Sequence, residues 1–82
     1  MYYVAECYFR RREFAIALSE YTRVAEQFGG AAQVPMAMYK AGVCLKELKD
    51  VRGARLMFEK VREAFGGQEA AELAGKELAK LK

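Results

Sequence analysis

Residues 1–30, MYYVAECYFRRREFAIALSEYTRVAEQFGG, and residues 38–67, MYKAGVCLKELKDVRGARLMFEKVREAFGG, decide the fold of this 82-residue chain. Placed one above the other at a constant offset of 37, without a gap, the two stretches agree at nine positions. The identical pairs are Met1/Met38, Tyr2/Tyr39, Cys7/Cys44, Ala17/Ala54, Val24/Val61, Glu26/Glu63, Phe28/Phe65, Gly29/Gly66 and Gly30/Gly67. A repeat of this length is typical of stacked supersecondary units. The sequence therefore predicts two copies of one unit.

The second half of each unit has apolar residues at every third or fourth position, which is the spacing of one helix face. These stripes are Phe14, Ala17, Leu18, Tyr21, Val24, Ala25 and Phe28, and then Val51, Ala54, Phe58, Val61 and Phe65. A Gly-Gly pair follows each stripe, and glycine adopts the positive φ of a left-handed helix cap at little cost. The second helices are therefore predicted to end at Phe28 and Phe65.

The first half of each unit predicts a shorter helix, over residues 1 to about 10 and about 34 to 47. Pro35 suits the first turn of the latter, where its missing N–H costs nothing. A last helix is predicted over about 68–81. The positions predicted to face inward are Val4, Ala5 and Tyr8, then Met38, Ala41, Gly42 and Leu45, and finally Ala71, Ala74, Leu78 and Leu81.

Small residues stand where the two helices of each unit would cross. They are Ala5 and Ala17 in the first unit, and Gly42 and Ala54 in the second. A glycine in the middle of a helix costs about 1 kcal/mol relative to alanine, so close helix packing is the expected reason for Gly42.

The predicted fold class is all-α, with two antiparallel helix hairpins and a C-terminal capping helix in one domain over 1–82. Its expected parts are repeat one 1–30, a linker 31–34, repeat two 35–67 and a closing helix 68–82. The first helix starts without an N-capping Ser, Thr, Asp or Asn, so the chain is expected to be a fragment of a longer array.

Composition argues against several function classes. The chain has no histidine, which removes the commonest general base and metal ligand, and its net charge is only +3. The basic residues are scattered, so nucleic acid is not an expected partner. The densest run, Arg10-Arg11-Arg12, is interpreted as a solvated turn, with a contact to an acidic partner or a phosphate as the alternative. Apolar stretches fall short of the roughly 18 residues of a membrane span, so direct membrane insertion is not expected.

The two cysteines, Cys7 and Cys44, occupy equivalent positions of the repeat. Neighbouring first helices at about 8–10 Å would keep their Cα atoms beyond the roughly 7 Å limit for a disulfide. Both are therefore predicted to be reduced, buried core residues. Two thiols without histidine make neither a complete metal site nor a cysteine–histidine nucleophile, so no cofactor, metal or catalytic residue is expected.

The repeat resembles the tetratricopeptide repeat (TPR). That family has a small residue in the first helix, an aromatic three positions later, an alanine in the second helix and an aromatic four beyond it. The matching residues are Ala5, Tyr8, Ala17 and Tyr21, and then Gly42, Leu45, Ala54 and Phe58. The chain departs from the family in having Met1 or Met38 for the early Trp, Gly29 or Gly66 for the closing Pro, and a period of 37 instead of about 34.

The longer period, the linker from Phe28 to Ala37 and the Ala/Lys/Leu-rich last helix resemble the C-terminal TPR domain of Tol-Pal-associated periplasmic proteins of the YbgF/CpoB type. This resemblance implies a scaffold in the bacterial cell envelope, which contacts partner proteins and sometimes self-associates. A cytoplasmic location is the alternative.

The resemblance also implies a binding surface, because in this family the first helices line a concave face that receives peptides. The positions carried over are Tyr2, Glu6, Phe9, Arg10, Tyr39, Val43, Lys46, Glu47, Lys76 and Lys80. Such a groove, aromatic at one end and basic at the other, suits a protein or peptide segment with an apolar anchor and acidic flanks. Two alternatives stay open: the aromatics pack against neighbouring repeats, or the domain is a self-association (oligomerisation) module.

Overall fold

The computed structural model of the chain describes residues 2–27 and 32–81, and in these ranges it contains five α-helices and no strands. The helices are α1 (Tyr2–Arg10), α2 (Phe14–Gln27), α3 (Val34–Glu47), α4 (Val51–Ala64) and α5 (Glu69–Lys80). This architecture confirms the predicted all-α fold of two hairpins and a closing helix. The predicted end of α2 at Phe28 and the Gly29–Gly30 cap lie outside the described residues.

The turn within each hairpin is built around a residue with positive φ that is not glycine. Arg12 has φ 63° and Lys49 has φ 72°, at equivalent positions of the two units. The backbone N–H of the next residue donates to a carbonyl five positions back, from Glu13 to Tyr8 and from Asp50 to Leu45. This is the left-handed cap that usually contains glycine. The Arg10-Arg11-Arg12 run therefore ends α1 and forms a turn, as predicted.

The end of α4 differs by one residue from the prediction. The helix ends at Ala64, and Phe65 is its C-cap with φ −129°. Of the Gly66–Gly67 pair that predicted a left-handed cap, Gly67 has the positive φ, at 92°. The start of α4 is capped by the Asp50 carboxylate, which accepts a hydrogen bond from the Gly53 N–H at 3.0 Å. Pro35 lies in the first turn of α3, as predicted.

The core consists of two clusters that meet at α3. The first joins the α1–α2 hairpin to one face of α3, and the second joins the α3–α4 hairpin to α5. The four small residues at the helix crossings, Ala5, Ala17, Gly42 and Ala54, are all buried. At Gly42 an added Cβ would lie 2.6 Å from Cε1 of Phe58, which confirms close packing as the reason for this glycine.

Three residues predicted to be inside are exposed. Val51 is 41% exposed, although its counterpart Phe14 packs edge-on against Phe9 with the ring centroids 5.5 Å apart. The counterpart of Phe9 in the second unit is Lys46, so Val51 has no aromatic ring to pack against. Val4 is 46% exposed, and Cys7 is exposed as well.

The two cysteines differ because their helices have different neighbours. Cys44 is fully buried in the first cluster, on the face of α3 that packs against α2. Within the described residues, the corresponding face of α1 has no preceding helix to cover Cys7. The prediction that both cysteines are buried is therefore right for Cys44 and wrong for Cys7.

Burial raises the pKa of Cys44 to about 11, from an ordinary value of 9.0. Above pH 9 the unfolded chain loses this thiol proton while the folded chain keeps it, so stability falls as pH rises towards the folded pKa. Between pH 9 and 10 we expect this group to lower the free energy of unfolding by about 1 kcal/mol. Urea denaturation at both pH values should show a smaller fall for Cys44→Ala, whereas Cys7→Ala should match the parent chain. An equal fall in both variants would contradict the role of Cys44.

Candidate functional site

The ten residues predicted to bind a partner lie on α1, α3 and α5, which are the first helices of successive units. Side chains on these helices interact across both junctions. Lys40 of α3 forms an ion pair with Glu6 of α1, and Lys46 of α3 forms one with Glu77 of α5. The three helices thus contribute to one surface, called here the first-helix surface.

At the junction of α1 and α3, the side chains of Tyr21 and Lys40 both contact the carboxylate of Glu6. The fully buried Tyr21 donates a hydrogen bond from its hydroxyl to Glu6. Lys40 Nζ lies 3.8 Å from the same carboxylate oxygen and 4.6 Å from the centroid of the Phe9 ring. Burial, followed by the hydrogen bond to Glu6, raises the pKa of Tyr21 well above its ordinary value, so the phenol stays a donor. Glu6 is therefore held in place by the fold.

At the junction of α3 and α5, Lys46 Nζ donates to Glu77 Oε1 at 2.7 Å. This hydrogen bond raises the pKa of Lys46 above its ordinary value of 10.5, although burial acts in the opposite direction. Lys80 Nζ lies 3.9 Å from the other oxygen of Glu77. The end of the surface expected to be basic therefore contains a carboxylate, which offsets part of its positive charge.

The aromatic residues of the site are half-buried and pack within their own repeats. The Tyr2 ring meets Tyr21 edge-on at 5.8 Å between centroids, and the Tyr39 ring lies 5.9 Å from Phe58. Burial is the main cause that raises the pKa of both Tyr2 and Tyr39. Phe9 packs against the first cluster and Val43 against the second. Each of these side chains is thus partly fixed by the core and partly exposed.

The remaining predicted residues stand apart from these groups. Oε1 of Glu47 lies 3.9 Å from Nη2 of Arg12 in the hairpin turn. Arg10 and Lys76 are exposed and form no ion pair with the described residues. Both cations are therefore accessible to a partner.

Sequence reasoning missed three members of the surface: Tyr21, Lys40 and Glu77. Tyr21 was assigned to the core, where its ring does lie, but its hydroxyl reaches Glu6. Lys40 and Glu77 are each the next residue after one that was predicted, Tyr39 and Lys76 respectively. Their partners lie 34 and 31 positions away in the sequence (Glu6 to Lys40, and Lys46 to Glu77), so no local pattern signals the pairing.

The described residues were also searched for membrane-spanning helices and for clusters of metal ligands. None of the described helices combines the length and apolarity needed to span a bilayer. Within residues 2–27 and 32–81, no three Cys, Asp or Glu side chains converge as metal ligands.

A family model described as tetratricopeptide repeat matches residues 36–67, which covers α4 and nearly all of α3. The match supports a tetratricopeptide-repeat protein, in agreement with the all-helical architecture. Such repeats generally mediate protein–protein interactions and are generally non-catalytic scaffolds. The comparison with curated proteins finds no match.

Proposed function

We propose that this domain binds a segment of a partner protein on the first-helix surface, without catalysis. The observation that carries this function is the tetratricopeptide-repeat match over residues 36–67. The surface supports it, because half-buried rings keep their positions without a ligand and so lose little freedom on binding. The expected ligand is an extended or helical peptide with an apolar anchor beside the half-buried aromatic side chains.

The charges of the surface favour acidic flanks on that peptide. Glu6 and Glu77 are each engaged with a lysine, so neither carboxylate is left free to repel an anion. Arg10, Lys76 and Lys80 remain accessible at the two ends. Exposed charges of this kind mainly affect association rate and salt dependence.

The test begins with a random peptide library displayed on phage and selected on the immobilised domain. Enriched peptides are then titrated by calorimetry against variants of the chain. Tyr39→Ala is expected to weaken binding about tenfold, because it removes an aromatic contact worth about 1–2 kcal/mol. Circular dichroism should show unchanged helicity. Binding equal to that of the parent chain would count against the surface.

Tyr39 also packs on Phe58, so Tyr39→Ala changes a contact of the core as well as the surface. A variant of exposed charges tests binding without changing the core. Lys76→Glu with Lys80→Glu changes exposed side chains and should weaken an acidic peptide most strongly at low salt. Lys60→Glu, on the exposed side of α4, is the matched control and should leave binding unchanged.

Self-association is the second candidate function. It is favoured by the exposed apolar side chains on α1 and α4, namely Tyr3, Val4, Val51 and Leu56. Light scattering over a range of protein concentrations tests it, and a monomer at every concentration would remove it.

The resemblance to the YbgF/CpoB type supports a proposed partner in the bacterial cell envelope. Affinity capture from separated periplasmic and cytoplasmic extracts tests this location. A specific partner found only in the cytoplasmic extract would overturn it.

A further inference from the structure

A cleft of about 140 Å³ lies between the two units, where α2 and α4 both pack against α3. All three helices contribute to its walls, and described helices therefore enclose it on each side. None of the ten residues predicted to bind a partner lines it. It is called here the inter-repeat cleft, and it is a candidate site separate from the first-helix surface.

The inter-repeat cleft is open because one of its walls has a small side chain. Ala25 of α2 lines the cleft, and its counterpart in the second unit is Arg62. The Arg62 side chain lies over Gly75, the counterpart of Met38, with Cδ 3.9 Å from the position of an added Cβ. The first unit has only a methyl group at the place from which this long side chain extends. A larger residue at position 25 would therefore reach into the cleft.

The interior of the cleft is apolar and of the size of one aromatic ring. Tyr21 and Ala41 are fully buried at its base, and Met38 and Met57 are half-buried in its walls. An apolar cavity of about 150 Å³ accommodates benzene. Thioether sulfur makes favourable contacts with aromatic rings, and methionine adapts its shape to the group that it packs against. A phenyl ring thus fits both the volume and the two methionines.

The volume also indicates what kind of molecule carries that ring. Sites that hold a whole small molecule usually measure about 300–1,000 Å³, which is at least twice the volume of this cleft. A free ligand of one ring would have few other contacts. A ring attached to a protein segment has further contacts with the rim, so the cleft fits an anchor side chain better than a complete ligand.

Two opposite charges stand at the rim of the cleft. Glu26 on the α2 wall and Lys60 on the α4 wall are both exposed. Neither forms an ion pair with another residue of the described ranges. A segment that crosses the rim is therefore complementary when it has a basic residue beside Glu26 and an acidic residue beside Lys60.

We propose that the inter-repeat cleft binds a phenylalanine side chain of a partner protein, in a segment that has a basic residue on one side of the phenylalanine and an acidic residue on the other. The ring lies between Met38 and Met57, and the two flanking residues pair with Glu26 and Lys60. This contact lies outside the first-helix surface and does not depend on the function proposed for that surface.

The experiment follows the methionine methyl groups by NMR, in the full chain labelled with carbon-13 at these methyls. The probe is the capped peptide acetyl-Lys-Phe-Glu-amide. A ring in the cleft should shift the signals of Met38 and Met57, whereas Met36, which does not line the cleft, should keep its position. Replacing the phenylalanine of the peptide by alanine should weaken binding at least about tenfold, because the buried ring is lost.

Variants at position 25 test whether the ring enters the cleft. Ala25→Leu should fill it and abolish the shifts, with helicity unchanged by circular dichroism. Ala25→Ser keeps a small side chain and is the matched control, which should bind like the parent chain.

The charges are tested with peptides that have the same residue on both sides of the phenylalanine. Acetyl-Lys-Phe-Lys-amide should bind the Lys60→Glu chain about threefold more tightly than the parent chain. Acetyl-Glu-Phe-Glu-amide should likewise prefer the Glu26→Lys chain. Both preferences should decrease at high salt.

Several results would overturn the proposal. They are no shift of Met38 and Met57, shifts that persist in Ala25→Leu, equal binding of the alanine peptide, or no charge preference. Shifts caused by toluene but not by the peptide would mean that the cleft takes a free ring only. Shifts that grow with chain concentration without peptide would assign the cleft to a second copy.

Lys76→Glu with Lys80→Glu should leave the methionine shifts unchanged. This variant weakens binding on the first-helix surface, for which Lys60→Glu is the neutral control. The two variants therefore have opposite effects at the two sites, and failure of one proposal is distinguishable from failure of the other.

Discussion

Replacing Gly42 by alanine is expected to lower the free energy of unfolding by about 1–3 kcal/mol, although alanine is the better helix former. The added Cβ would lie 2.6 Å from Cε1 and 2.9 Å from Cδ1 of Phe58. Phe58 is fully buried and cannot swing out of the way. The crossing of α3 and α4 would have to open, and urea denaturation measures the cost.

Gly75 provides the matched control within the same chain. An added Cβ there would have Arg62 side-chain atoms at 3.8 and 3.9 Å, which are ordinary contact distances. Gly75→Ala should therefore raise the free energy of unfolding by about 1 kcal/mol through helix propensity alone. Phe58→Leu should partly compensate for Gly42→Ala, because a smaller side chain accommodates the new methyl group. A Gly42→Ala variant as stable as the parent chain would refute the close approach of α3 and α4.

The second large effect concerns Glu6 and Tyr21. Glu6→Val should cost about 1–3 kcal/mol, because it leaves the buried Tyr21 hydroxyl without its acceptor. Tyr21→Phe should cost about 1 kcal/mol, since Glu6 then keeps only its ion pair with Lys40. The double variant should be more stable than Glu6→Val alone, because both polar partners are then gone.

The second repeat already contains the apolar version of this pair. The counterparts of Glu6 and Tyr21 are Val43 and Phe58, both of which pack in the second cluster. Denaturation of the two single variants and the double variant gives a coupling energy, expected to exceed about 1 kcal/mol. Strictly additive costs would mean that the hydrogen bond does not join these two residues in solution.

The sequence could place the candidate surface residues on helices, but it could not predict their contacts. Residues such as Tyr2 and Tyr39 could be placed on the first helices, because repeat register assigns positions to helices. Their pairing could not be predicted, because identical register does not give identical neighbours. Glu6 receives a hydroxyl from α2, whereas its counterpart Val43 packs in an apolar cluster.

The sequence by itself determined the number of helices, most of their bounds and the small residues at the crossings. Those features depend on local spacing: apolar residues every three or four positions, a proline in a first turn and a period of 37. Only the tertiary structure decided that Cys7 is exposed and Cys44 buried, and that Glu77 offsets the charge of Lys46. Exposure and ion pairing depend on which helix lies alongside, and within the described residues equivalent positions of the two units have different neighbours.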